Sequence, residues 1–218
     1  MYTATNVDID PHYGLGYIQT LLARGAREKF LLSFYGLLAH GMSRTTFSAP
    51  ESSCVFPLRS DPGAWNRMFA RTRWDWGVHS HYGLSEPLSA GASAVALSLL
   101  RDLLVREDTD GPHTILHLLS GAPADWMTPG KSLVMQRAPT RFGEIGLRAE
   151  GLPDGSLRIR IAARWRTKPD EIRLHLYPPA RRKIAGVRLN GAPWTAFGDH
   201  HIRLRPDTSA FQLEVRLA

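Results

Sequence analysis

The carboxylate with the strongest chemical setting in this sequence is Glu51, in the stretch Ala26 to Glu51, AREKFLLSFYGLLAHGMSRTTFSAPE. Phe30, Phe34, Leu37 and Leu38 recur at helical spacing and Gly41 tolerates the left-handed backbone that ends a helix. Ser43, Thr45, Thr46 and Ser48 then make a hydroxyl-rich loop that carries the acid. A carboxylate on a loop held by a rigid helix can serve as a general acid or base. The same residues also fit a core helix followed by a surface turn.

A second chemically rich segment reads Trp74-Asp75-Trp76-Gly77-Val78-His79-Ser80-His81-Tyr82-Gly83. Trp and Tyr rings stack on sugar or nucleobase faces, and Asp and His bond hydroxyls. Alternatively, the tryptophans plug the ends of a helix bundle. His79 and His81 lack a third ligand at a recognisable spacing, so no metal is expected. Cys54 is the single cysteine, which excludes an internal disulfide and a cysteine zinc cage, and no nearby segment supplies it with a matched base. Asp8-Ile9-Asp10 lacks the ligands of a calcium loop and reads as a lead-in to the first helix, or else as a substrate contact. Gly14-Leu15-Gly16 lacks the third glycine and preceding strand of a phosphate-cradling loop.

The elements that must position these residues fall into two periodicities. Up to about residue 108 the period is helical. Helices are expected over Leu15 to Ala23 and Ala26 to Gly41, and Arg24-Gly25 between them implies an antiparallel hairpin. A third long helix is expected from Ser85-Glu86-Pro87, with Ser85 as N-cap and a stripe of Leu88, Ala92, Val95, Ala96, Leu99 and Leu103. Residues 42 to 84 form a connection too long and too aromatic for a simple linker.

After Thr109-Asp110-Gly111-Pro112 the period becomes two. One helical turn is expected at Ala124 to Thr128. Ile115, Leu116 and Leu118 make a short apolar run, and about seven short strands are expected, over Lys131 to Arg137, Gly146 to Glu150, Leu157 to Ala163, Ile172 to Leu176, Ile184 to Leu189, His201 to Arg205 and Phe211 to Leu217, with turns at Pro153-Asp154-Gly155 and Asn190-Gly191. The expected fold is therefore α+β: a helical region over 1–110 and an antiparallel β-sandwich over 111–218.

The 218 residues suit one or two domains, and the formal charge of +7 is uneven. Residues 1–130 hold 10 Lys/Arg against 12 Asp/Glu, whereas 131–218 hold 17 against 8. Clustered arginines suggest phosphate neutralisation, but here they alternate with apolar residues, as in Leu157-Arg158-Ile159-Arg160-Ile161. Solvated outer faces of strands explain that more economically, so no nucleic-acid partner is expected. No run approaches the roughly 18 apolar residues a membrane span needs. The start, MYTATNVDIDPHYG, lacks the basic and apolar stretches of a signal peptide, so secretion from this start is not expected, and the location is cytoplasmic or unknown.

Several phrases, in order, resemble the C-terminal part of six-hairpin glycosidases of the inverting α-L-rhamnosidase and α-L-fucosidase type. They are Leu38-Ala39-His40-Gly41-Met42-Ser43-Arg44-Thr45-Thr46-Phe47 running to Glu51, His117-Leu118-Leu119-Ser120-Gly121-Ala122-Pro123-Ala124-Asp125-Trp126, Ala138-Pro139-Thr140-Arg141-Phe142-Gly143, and Val187-Arg188-Leu189-Asn190-Gly191. The resemblance implies a partial α/α toroid followed by a sandwich, and hydrolysis by two carboxylates without a cofactor, about 6.5 to 9.5 Å apart in inverting members. It implies that Glu51 is the catalytic base or a ligand of substrate hydroxyls, and that Arg44, Trp74, Asp75, Trp76, His79, His81 and Tyr82 contact a carbohydrate substrate. Six hairpins need twelve helices, so the resemblance also implies a fragment that is inactive alone and self-associates through exposed helix faces. The alternative is a carbohydrate-binding or structural module without catalysis.

Overall fold

The structure is a computed structural model that describes residues 8–9, 11–40, 53–54, 79–80 and 90–218. Contacts divide the chain between Arg101 and Asp102.

In the first unit, α1 (Pro11–Ala23) and α2 (Arg27–His40) form the expected hairpin. α1 begins four residues before the expected start, because proline fits the first helical turn, where its missing N–H has no partner to lose. Gly25 turns the chain at φ +74°, and its neighbour Ala26 donates to the Leu21 carbonyl at 2.8 Å. Ile18 and Leu22 on α1, and Phe30, Phe34 and Leu37 on α2, are buried. The Phe30 and Phe34 rings lie nearly parallel with centroids 6.2 Å apart. Leu38, expected on that stripe, is only half-buried.

The described part of the third helix, α3, covers Ala90–Leu104 and buries Val95, Ala96, Leu99 and Leu103. The Ser85 cap falls outside the described residues. Tyr17, Leu32 and Leu97 are mostly exposed large apolar side chains on these helices. Three two-residue strands, β1 (Asp8–Ile9), β2 (Ser53–Cys54) and β3 (His79–Ser80), pair antiparallel in the order β1-β2-β3. Among the described residues, no helix is long and apolar enough to cross a membrane.

The second unit is a two-sheet sandwich. One sheet contains β6 (Ser132–Thr140), β7 (Gly143–Gly151), β8 (Leu157–Trp165), β10 (Ile184–Leu189), β11 (Ala192–Trp194) and β13 (Ala210–Leu217), ordered β11-β10-β13-β8-β7-β6. The other contains β4 (Val105–Asp108), β5 (Ile115–Leu118), β9 (Glu171–His175) and β12 (His201–Leu204), ordered β12-β9-β5-β4. Alternating residues of both sheets, including Leu147, Ile159, Leu213, Leu116, Ile172 and Ile202, meet in one buried cluster. The named strand pairs are antiparallel except β5 with β9, which is parallel.

In the second unit, two strands depart from the sequence expectation. β4 occupies a segment expected to be helical: helix α3 ends at Leu104 and Val105 pairs at once with Leu118. Four residues are too few for period two to declare itself. β11 is three residues long and contains Pro193, which suits an edge strand lacking a neighbour to receive its N–H. The expected turn before β11 is present, with Asn190 at φ +50° and Gly191 at φ +84°, the left-handed pair of a type I′ hairpin. The expected helical turn is a 3-10 turn over Ala124–Met127.

On the outer face of the six-stranded sheet the register sets Glu150, Arg158, Glu214 and Arg188 side by side in alternating sign. Opposite charges across neighbouring strands are favourable, which accounts for part of the arginine enrichment.

Gly143 closes the β6–β7 hairpin at φ +127°, and a Cβ there would stand 2.1 Å from the Arg164 carbonyl oxygen. Gly143→Ala is expected to lower sandwich stability by roughly 2–3 kcal/mol through backbone strain and displacement of β8. A urea midpoint indistinguishable from that of the parent chain would refute this.

Candidate functional site

Of the residues expected to act on substrate, Glu51, Arg44, Trp74, Asp75, Trp76, His81 and Tyr82 lie outside the described residues. His79 is described through its backbone. It stands in β3 directly opposite Cys54, which in turn stands opposite Asp8. The register thus brings Asp8, Cys54 and His79 into one cross-strand row. A histidine is therefore beside the cysteine across strands, 25 positions away in the chain.

In the sandwich, polar side chains converge on the face of the four-stranded sheet away from the shared core. Leu116, Leu118, Ile172, Leu174, Ile202 and Leu204 point into the core, so period two sends their neighbours the other way. The pairing aligns Arg106, His117, Arg173 and Arg203 in a single row across β4, β5, β9 and β12, with His175 opposite His201 nearby. Like charges directly opposite one another repel, and the structure offsets this in two ways.

First, Glu171 accepts from Arg173 Nε at 2.7 Å and from Arg203 Nε at 2.8 Å. Burial alone would raise the Glu171 carboxyl, but these two guanidiniums outweigh it and hold it below the usual carboxylate range. Second, the buried imidazoles are neutral. His117 Nδ1 and His175 Nε2 are 2.9 Å apart and share one hydrogen, with the ring centroids at 5.2 Å. Burial, then Arg106 and Arg173, pushes His117 down to about 3. Burial, then His117 and Arg173, brings His175 to about 3 as well.

The row of rings continues through Tyr177 to His200, with centroid spacings of 6.2 and 5.5 Å. Arg106 Nε, His117 Nε2 and His200 Nδ1 are buried without a hydrogen-bond partner among the described residues. Imidazoles this reluctant to take a proton are unsuited to general-base work near neutrality, and among the described residues no three acidic, His or Cys side chains group to hold a metal.

A cavity of about 520 Å³ opens where the edges of the two sheets meet, with Asp170, Glu171, Trp194, Arg203 and Arg205 in its lining. The Trp194 indole N–H donates to the Arg203 carbonyl at 3.0 Å, and Arg203 N donates to the Ala196 carbonyl at 2.9 Å. These bonds tie edge strand β11 and the segment after it to edge strand β12. Asp170 accepts from the Thr114 amide at 2.7 Å and hydroxyl at 3.0 Å, which hold its carboxyl below the usual range. A fixed aromatic ring beside charged hydrogen-bonding groups can seat a sugar.

Sequence reading missed this groove because its parts are scattered from position 114 to 205 and meet only through strand pairing. The alternation in Ile202-Arg203-Leu204-Arg205 was the available signal, and it identifies an outward face without saying what stands beside it.

No protein-family model matches the sequence, and no curated protein matches it. Among solved structures, the chain is similar to one titled "Glycoside hydrolase", with 13% identity and a TM-score of 0.34, over 78% of this chain and 25% of that one. The chain thus spans about a quarter of the length of that structure.

Proposed function

We propose that this chain serves glycoside hydrolysis as the part of a six-hairpin-type glycosidase that joins its helical region to its sandwich. Glu51 is the acid/base carboxylate, or holds substrate hydroxyls beside it, and Arg44 and the Trp74 to Tyr82 segment contact the sugar. No cofactor enters the reaction.

The observation that most directly supports this reading is the splice between α3 and the sandwich. The phrase His117 to Trp126 is one of those that carry the family resemblance, and it supplies the caps of α3. Leu119 N donates to the Leu104 carbonyl at 2.8 Å and Gly121 N to the Leu103 carbonyl at 3.1 Å, with Leu119 held at φ +59°. Helix-end carbonyls need such partners when buried, so this phrase has a structural task in joining helix to sheet. Glu51→Gln, made in an enzyme that contains this chain, tests the assignment: a lowered kcat/KM with an unaltered melting curve supports it, and an unchanged kcat/KM removes it.

A second reading, carbohydrate binding without catalysis, is favoured by the groove at Trp194. It expects the chain to retain glycan without cleaving it.

A further inference from the structure

The groove between the sheet edges has a sign. Both of its carboxylates already accept two hydrogen bonds each, Asp170 from Thr114 and Glu171 from Arg173 and Arg203. Its donors are less engaged. Arg203 uses its Nε on Glu171, and neither terminal nitrogen of that guanidinium has a partner among the described residues. Arg205, exposed at the groove, has no side-chain hydrogen bond or ion pair among them.

Open donors therefore exceed open acceptors around a ring that is fixed by its own N–H. A neutral sugar presents hydroxyls that need both kinds of partner, whereas a carboxylated sugar presents a planar acceptor pair suited to a guanidinium fork. The surroundings favour the same charge, since residues 131–218 hold 17 Lys/Arg against 8 Asp/Glu.

We propose that the cavity lined by Trp194, Arg203 and Arg205 binds an acidic glycan, with a sugar ring on Trp194 and a uronate carboxylate on the two arginines. The site lies wholly within residues 102–218 and needs no catalytic residue. It rests on the carbohydrate-binding reading of the same groove and adds the charge class of the ligand.

The test is calorimetric titration of the full chain with tetragalacturonate and, separately, with its methyl ester, which keeps the rings and removes the charge. The charged sugar is expected to bind at least about tenfold more tightly than the ester. Arg205→Gln, at an exposed side chain whose loss leaves the core intact, is expected to remove most of that difference while leaving the ester's affinity unchanged. Equal affinities, or an Arg205→Gln variant that still discriminates, would overturn the acidic ligand but leave a neutral glycan in place. Failure of both sugars to bind would overturn the carbohydrate reading itself. Displacement of the bound uronate by a single-stranded oligonucleotide of higher affinity would reassign the groove to phosphate recognition.

Discussion

Under the proposed function, Glu51→Gln is expected to lower kcat/KM for glycoside hydrolysis by roughly 10²- to 10⁴-fold, the range contributed by a positioned general acid or base. Glutamine keeps the size and hydrogen-bonding shape of glutamate but can neither release nor accept the catalytic proton. In an inverting mechanism a base must take a proton from the attacking water, so the loss falls on kcat and removes one limb of the pH profile. A Glu51 that only holds substrate hydroxyls gives a different pattern, a raised KM with kcat nearly intact. Steady-state kinetics across pH separate the two, and an unchanged kcat/KM eliminates both roles.

Acidification is expected to destabilise the sandwich well before its lowered carboxyls, Glu171 among them, titrate. His117 and His175 have folded-state values of about 3, against an ordinary histidine value of 6.5. The unfolded chain therefore takes up protons below about pH 6.5 that the folded chain refuses, and stability falls from there towards pH 3. Each imidazole contributes a slope of about 1.4 kcal/mol per pH unit once its unfolded form is protonated.

The groups around the pair reinforce this sign: Arg106 on β4, Arg173 on β9 and His201 on β12 all disfavour a positive imidazole. Glu171 is committed to Arg173 and Arg203. Its carboxyl, like those of Glu144 and Glu150, is lowered and contributes at more acidic pH. The interval from pH 6.5 to about 5 thus isolates the histidines. Urea melts across it should show a falling midpoint, and His117→Gln should flatten the slope by about one proton. An identical slope in that variant would exclude His117 as a source of the acid sensitivity.

Much of the fold was legible in the chain itself because it depends on local period and turn chemistry. Phe30, Phe34 and Leu37 form a buried helical stripe, and Phe211, Leu213 and Val215 form a buried strand stripe. Asn190-Gly191 marks its hairpin because left-handed backbone at both turn positions selects those residues. These features place a helical hairpin before a sandwich without reference to any distant contact. β4 was not legible, since Val105 to Asp108 has no pattern apart from its partner β5.

The site features of the sandwich were decided by tertiary structure. Nothing near His117 in sequence announces His175, 58 positions away, whose ring nitrogen shares its hydrogen. Glu171 is an ordinary strand residue until β12 brings Arg203 beside Arg173, and Trp194 is an ordinary edge residue until Arg203 accepts its N–H. Periodicity tells each side chain which face it occupies, since that follows from its own backbone. Strand order and register choose its neighbours, because hydrogen-bonded pairing joins segments that the chain separates. For this protein the sequence by itself determined the helical and sandwich parts and the outward course of the arginines, while only the tertiary structure set a neutral histidine pair and a donor-rich groove among them.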